Sequence, residues 1–405
     1  MNKRVVKTLA AALSFLLLLT ACSFGRGQQV DDGEDVVEAI ETVEVRDPTV
    51  EAQEPTVEPR EVTVNATEEN VRLIGRTCMI DDVTWLPQSG SAVEFAVKGT
   101  SVTLELAGDD AVENERDLCP RFAVLVDGEV VLDDTLTEPS RTIEVFSGES
   151  TTSAVVEVMH LSEANMGAVG VKTITVESDA VTPVVPTAEK ELSIEFIGDS
   201  ITCGYGVEAS SIDEPFKTTA QNFMKSYAYL TAKALNANCS AVCYSGYGVI
   251  SGWSSDGARS VDMLVPSLYD VVATGYDVPW DFTTHASDVV VINLGTNDFT
   301  YTGTDEERMR EFADGYVDFL LQVRERNPES YLICTMGTMG CWELYPYVEQ
   351  AVETFKGNTG DTRVTCYPSD PIDVMGDGIG GYGHPNAITQ QKSADKLVEV
   401  IRESL

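Results

Sequence analysis

The feature that most constrains the fold is a change of hydrophobic period near residue 180. Residues 71–180 carry apolar side chains in short alternating runs, the period of a half-buried strand, with no convincing helical stretch. Residues 191–405 instead alternate near-continuous apolar runs with stretches spaced like one face of an α-helix. One layer architecture cannot satisfy both periods, so two domains are expected, joined at 181–190 by a junction containing Pro183 and Pro186.

In the first domain, Val93, Phe95 and Val97 share one face against Ala92, Glu94 and Ala96. Similar runs recur at 101–106, 122–126, 129–132, 142–146, 154–159 and 171–176. Ser89-Gly90, Lys98-Gly99, Asp127-Gly128 and Ser147-Gly148 punctuate them, and Asp127-Gly128 is the best hairpin signal. Short strands at this spacing predict an antiparallel β-sandwich of jelly-roll type. Its two cysteines, Cys78 and Cys119, read as a disulfide or as two buried thiols.

The second domain starts with an apolar run, 192–197, ending in Gly198-Asp199-Ser200. Helical spacing follows through 222–235, then a strand at 241–244 and an apolar strand at 288–294 that ends in Gly295-Thr296-Asn297-Asp298. A helix is predicted over 306–326, with Phe312, Tyr316, Phe319, Leu320 and Val323 on one face and a stop before Asn327-Pro328. A strand at 331–335 and a last helix at 389–403 complete an α/β pattern with a parallel sheet covered on both faces. In such sheets the chemistry sits at the carboxyl ends of the strands.

Ahead of residue 71 nothing can fill a core. Lys3, Arg4 and Lys7 precede an apolar stretch at 9–19 that is too short to span a bilayer, which marks residues 1–22 as a signal peptide. It runs into Leu19-Thr20-Ala21-Cys22, which resembles the bacterial lipobox, where the cysteine becomes the lipidated first residue. The alternative is a plain secretory signal followed by an incidental cysteine. Residues 23–70 hold 14 acidic against 3 basic side chains, with Pro48, Pro55 and Pro59. They read as a disordered, self-repelling linker or as an acidic interaction arm.

Charge and ligand-type residues narrow the function. With 66 Asp plus Glu against 27 Lys plus Arg, the net charge of −39 would repel phosphate backbones and speaks against nucleic-acid binding. His160, His285 and His384 share no short spacing and the nine cysteines form no C-x-x-C, so no metal and no cofactor is expected. Gly204-x-Gly206-x-x-Ala209 begins several residues past its strand, where a dinucleotide fingerprint would not be.

Three strand ends carry more polar groups than a turn requires: Gly198-Asp199-Ser200-Ile201-Thr202, Ser245-Gly246-Tyr247-Gly248 and Gly295-Thr296-Asn297-Asp298. Ser200 alone reads as a helix N-cap or as an exposed nucleophile at a strand-to-helix turn. The amide of Asn297 and the imidazole of His384, in Gly383-His384-Pro385-Asn386, favour the second reading.

These blocks resemble the SGNH (GDSL-type) hydrolase superfamily. Taken with Ile74-Gly75-Arg76, Asn293-Leu294-Gly295-Thr296-Asn297-Asp298-Phe299 and Gly337-Thr338-Met339-Gly340, residues 71–405 resemble carbohydrate esterase family two. The resemblance implies an SGNH-type (flavodoxin-like) domain over 191–405 behind the jelly roll at 71–180. It also implies acetyl ester hydrolysis on polysaccharides or their fragments, often at the 6-hydroxyl of a hexose. Carried over by position, Ser200 is the nucleophile, His384 the general base, and the Ser200 N–H, Gly246 and Asn297 the oxyanion donors. A hydroxyl needs such a base at neutral pH, and each preorganised donor lowers the barrier by roughly 3 to 4 kcal/mol.

One position departs from the superfamily. The aspartate that often stands three residues before the histidine is Gly381 here, so a Ser–His dyad with a main-chain acceptor is expected, with Asp377 as the alternative orienter. Trp253 and Trp342 read as sugar-stacking rings or as core. Cys203 reads as a buried thiol, Asp199 and Asp298 as loop anchors, and His160 and His285 as structural. The expectation is a monomeric acetyl esterase, lipid-anchored at the bacterial cell surface through Cys22. The competing readings are a glycan-binding lipoprotein and an esterase acting on O-acetyl groups of peptidoglycan.

Overall fold

The computed structural model of the protein describes residues 56–405. The expected signal peptide, Cys22 and residues 23–55 of the expected linker lie outside the described residues. Within the described residues both domains belong to one compact unit.

The N-terminal domain is all antiparallel β. Two long strands, Ala92–Gly108 and Ser140–His160, pair with each other, and Val169–Ala180 pairs with the first of them. Phe95, Val97, Leu104, Phe122, Val156, Val171 and Ile174 fill the core between the strands. Two expected turns are strand interior instead. At Lys98-Gly99 the reason is close approach: a Cβ on Gly99 would lie 2.5 Å from Val176 Cγ1 and 2.6 Å from the Glu177 carbonyl. The glycine there admits the neighbouring strand. The hairpin at Asp127-Gly128 forms as expected, with positive φ at both residues and Val126 opposite Glu129.

Two corrections concern the edges. Residues 56–65, assigned to the linker, form the strand Thr56–Asn65, which adds to Val169–Ala180. Its mostly exposed side chains gave no core signal, and the neighbouring strand supplies its backbone partners. Within the junction, Val184–Pro186 pairs with Ala92–Gly108. Cys78 and Cys119 are free buried thiols.

The C-terminal sheet is wholly parallel, in the order Ala237–Cys243, Leu192–Gly198, Val289–Asn293, Tyr331–Met336, Val364–Pro368. This is the flavodoxin-like order, whose switch point falls between the first and third strands in sequence. Helices Glu306–Arg326 and Tyr345–Thr359 cover one face, with Phe312, Tyr316, Phe319 and Phe355 against Val290 and Ile292. Helices Tyr227–Ala234 and Ala387–Ser404 cover the other, with Tyr227, Leu397 and Ile401 against Phe196, Val289 and Val291.

Two arginines of the first domain bolt it to the second. Arg76, with no exposed surface, pairs with Glu195 at 2.9 Å, donates to the Tyr269 and Val271 carbonyls and is surrounded by the rings of Tyr269, Trp280 and Phe282. Arg121 reaches Glu208 at 2.6 Å and the carbonyls of Thr219 and Gln221. Removing one partner of such a buried pair typically costs about 3–5 kcal/mol, because the other charge is left without compensation.

Candidate active site

The strand Leu192–Gly198 delivers Ser200 into a single helical turn, Ser200–Cys203, at the switch point. Asp199 caps the turn through the Ile201 N–H, and the Gln390 amide donates to the Ile201 carbonyl at 2.9 Å. Thr202 and Tyr227 share a hydroxyl hydrogen bond at 2.8 Å. Every residue of the turn is buried, so the Ser200 hydroxyl has little freedom.

His384 Nε2 lies 2.8 Å from Ser200 Oγ, and His384 Nδ1 lies 3.0 Å from the Gly381 carbonyl. A carbonyl only accepts, so Nδ1 carries the proton and Nε2 is left bare to accept from the hydroxyl. Burial lowers the His384 pKa to about 4, against a smaller opposing effect of the Gly381 and Tyr382 backbone. The imidazole is therefore neutral and ready as a base across the neutral range. Asp377 is engaged elsewhere, with its carboxylate oxygens 2.7 and 2.6 Å from Lys392 Nζ.

The His384 loop is held by backbone and rings. The Gly381 N–H donates to the Gly206 carbonyl, and the Tyr382 N–H to the Ile212 carbonyl. The Tyr205 ring lies 4.2 Å from the imidazole, backed by Phe216 at 4.9 Å. Nothing in the sequence marked this pair, although Tyr205 sits inside the Ser200 block.

The turn at 244–247 closes through the Tyr247 N–H and the Tyr244 carbonyl. Gly246 occupies its third position at φ +84°, where a type II turn requires glycine. Among the described residues, neither the Gly246 N–H nor the Ser200 N–H donates to a protein acceptor. Asn297 donates from Nδ2 to the Tyr247 carbonyl at 2.8 Å and more weakly to Asp199 at 3.3 Å. Asp298 accepts the N–H groups of Val249, Ile250 and Ser251 and so fixes the chain beyond the turn. Burial pushes Asp199 up to about 7 and Asp298 up to about 6.

Trp253 and Trp342 are 55% and 42% exposed, which leaves ring surface open to a ligand. Trp253 is anchored by its backbone N–H to the Gly246 carbonyl at 2.7 Å, and the Trp342 ring lies over Gly337. Cys203 is buried, His160 is buried against Ser162 Oγ, and His285 stacks on Trp280. The structure also holds a cavity of about 530 Å³ lined by Arg72, Ser193, Asn238 and His285. It opens at the amino ends of the parallel strands, away from Ser200. Among the described residues no group of three His, Cys, Asp or Glu side chains is placed to hold a metal ion.

Residues 196–392 match the GDSL-like Lipase/Acylhydrolase family, and residues 73–186 match the carbohydrate esterase 2 N-terminal family. The cellulase/esterase CelE of Acetivibrio thermocellus is 30% identical over 328 residues, covering 78% of this chain and 37% of that protein. The chain thus spans little more than a third of that relative. An acetylxylan esterase / glucomannan deacetylase of Cellvibrio japonicus is 25% identical over 277 residues, covering 68% of this chain and 73% of that protein. Among solved structures, a family two carbohydrate esterase from Clostridium thermocellum in complex with cellohexaose superimposes with a TM-score of 0.71 at 27% identity, over 82% of this chain and 98% of that one. An acetyl xylan esterase from the rumen bacterium Butyrivibrio proteoclasticus gives 0.74 at 25% identity, over 85% and 98%. The chain thus carries a carbohydrate esterase 2 N-terminal domain ahead of a GDSL-like lipase/acylhydrolase domain, and its homologues are family two carbohydrate esterases.

Proposed function

We propose that the protein is a serine esterase that removes O-acetyl groups from a polysaccharide or oligosaccharide through an acetyl-Ser200 intermediate. The observation that carries this reading is the single line from the Gly381 carbonyl through His384 to Ser200 Oγ, beside two unclaimed backbone N–H groups. His384 Nε2 takes the hydroxyl proton as Ser200 Oγ bonds to the acetyl carbon, and the carbonyl electron pair moves onto oxygen. That oxyanion is received by the N–H groups of Ser200 and Gly246. The Asn297 hydrogen now spent on the long Asp199 contact turns to it as a third donor. The pair returns, the bond to the sugar oxygen breaks, and the imidazolium gives that oxygen its proton. Water then attacks acetyl-Ser200 with His384 again as base, releasing acetate.

The substrate we favour is a 6-O-acetyl hexose unit, with Trp253 and Trp342 as stacking surfaces and the N-terminal domain, read as a jelly roll, bracing the cleft. The site would stand at the bacterial cell surface, lifted off the membrane by residues 23–55 and tethered by a lipid on Cys22. A Cys22→Ser variant should then leave the membrane fraction. The central test is acetate release from acetylated glucomannan, xylan and peptidoglycan by wild type and Ser200→Ala. Losing the nucleophile should lower turnover about ten-thousandfold or more. Equal rates for the two proteins would overturn the esterase reading in favour of glycan binding, and release from peptidoglycan alone would move the substrate to the cell wall.

A further inference from the structure

The oxyanion turn touches the N-terminal domain. Beyond its strand Ser140–His160, that domain sends the segment 161–163 against the catalytic domain: the Leu161 carbonyl accepts the Phe223 N–H, and the Glu163 N–H donates to Gln221 Oε1. Glu163 is 1% exposed, and among the described residues it forms no ion pair. Its Oε2 accepts the Ser245 N–H at 2.7 Å, one residue before Gly246. The Cys203 thiol lies 3.9 Å from the same oxygen. Asp199, Tyr205 and Tyr247 are close enough for its charge to bear on their titration.

The turn is therefore pinned at three points. Trp253 holds the Gly246 carbonyl, Asn297 holds the Tyr247 carbonyl, and Glu163 holds the Ser245 N–H. The first two pins come from the catalytic domain and act on carbonyls. The third grips the leading peptide plane, whose carbonyl is otherwise held by the long 3.3 Å bond from the Tyr247 N–H inside the turn, and without it the Gly246 N–H can swing with the plane it follows. We propose that Glu163 is a positioning residue for the oxyanion turn, so that the N-terminal domain supplies part of the catalytic geometry rather than only a surface beside it. A buried carboxylate is costly without a cation. Burial raises its pKa, against the smaller opposing effect of the Ser245 N–H.

This inference rests on the esterase reading, and the test separates the two. Turnover of 4-nitrophenyl acetate is measured for wild type, Ser200→Ala, Glu163→Ala and Glu163→Gln, together with Tm. In Glu163→Ala the kcat should fall about 10- to 100-fold, short of outright loss of an oxyanion donor, with KM changed less than about twofold. Glu163→Gln keeps an acceptor for the Ser245 N–H. It should recover kcat to within about fivefold of wild type, since the leading peptide keeps its hydrogen-bond acceptor. Wild-type kcat in Glu163→Ala, with Ser200→Ala inactive, overturns the positioning role alone. Equal losses in both Glu163 variants, in step with Tm, overturn it too, by reducing Glu163 to a domain latch. An active Ser200→Ala would instead remove the reading beneath it.

Discussion

Ser200 and His384 meet from supports of opposite kind. Ser200 rides on a fully buried turn, between a sheet strand and the C-terminal helix that carries Gln390. His384 rides on a glycine-rich surface loop whose neighbours Met375 and Tyr382 are largely exposed, held by two backbone hydrogen bonds and one tilted ring contact. In the proposed mechanism the sheet places the nucleophile, and main chain and aromatic contact place the base. No carboxylate is needed for that, because a fixed carbonyl selects the imidazole tautomer as a carboxylate would. Damage on the nucleophile side should thus cost rate and fold together, and damage on the base side mostly rate.

The largest expected break in this contrast is Gly246→Ala. A β-carbon at φ +84° strains the turn, and the turn relaxes by rotating the peptide that carries the N–H. The kcat for 4-nitrophenyl acetate should drop about 10²- to 10³-fold, with a lowered Tm. A kcat within about threefold of wild type would remove this N–H from the oxyanion site.

On the base side, Tyr205→Ala removes the ring 4.2 Å from the imidazole. A ring pair contributes roughly 0.5–1.5 kcal/mol, so kcat should fall about three- to tenfold, with a Tm loss smaller than that of Gly246→Ala. A larger stability loss than rate loss would place the ring in the core rather than in service of His384.

How much of this was legible in the sequence differs between the same two sides. The nucleophile side was readable, because strand-end motifs such as Gly198-Asp199-Ser200 are local and the apolar period of the strands is strong. The helix Glu306–Arg326 matches its expected bounds, since Asp305 caps it and Asn327-Pro328 stops it. The helix Tyr345–Thr359 lies outside the expected elements, since Leu344 offers no side-chain cap to mark its start. The edge strand Val364–Pro368, only half buried, carried too weak a period to stand out. Tyr205 on His384 and Glu163 on the oxyanion turn are contacts across the fold, and residue spacing holds no trace of them.

The pH profile sharpens the base-side account. A histidine at its ordinary pKa near 6.5 would leave about a tenth of kcat/KM at pH 5.5. With His384 lowered to about 4, more than half of the pH 7.5 value should remain there. Stability carries its own sign. Between about 4 and 6.5 the folded His384 and His160 bind fewer protons than the unfolded chain, so they cost stability as pH falls through that window. Asp199 and Asp298, raised by burial, act oppositely: the folded chain keeps protons that the unfolded one releases, and stability is lost as pH rises towards about 7. An acid limb in kcat/KM near 6.5 would show that water reaches the imidazole in solution.

The smallest expected effect is also the most discriminating. Asp377 is the nearest sequence candidate for a carboxylate orienter, yet its side chain is spent on Lys392, itself largely exposed. Replacing it by asparagine leaves its backbone carbonyl, which accepts from Asn386, in place. The ion pair is partly solvated, so its loss should cost no more than about 1 kcal/mol of stability. Neither Gly381 nor His384 is bonded to the carboxylate, so kcat/KM for Asp377→Asn should stay within about twofold of wild type, well short of the ten-thousandfold that removing a true orienting carboxylate costs. A fall of tenfold or more, with Tm unchanged, would mean that the loop rearranges in solution to bring Asp377 onto Nδ1, and the main-chain account of the base would be lost.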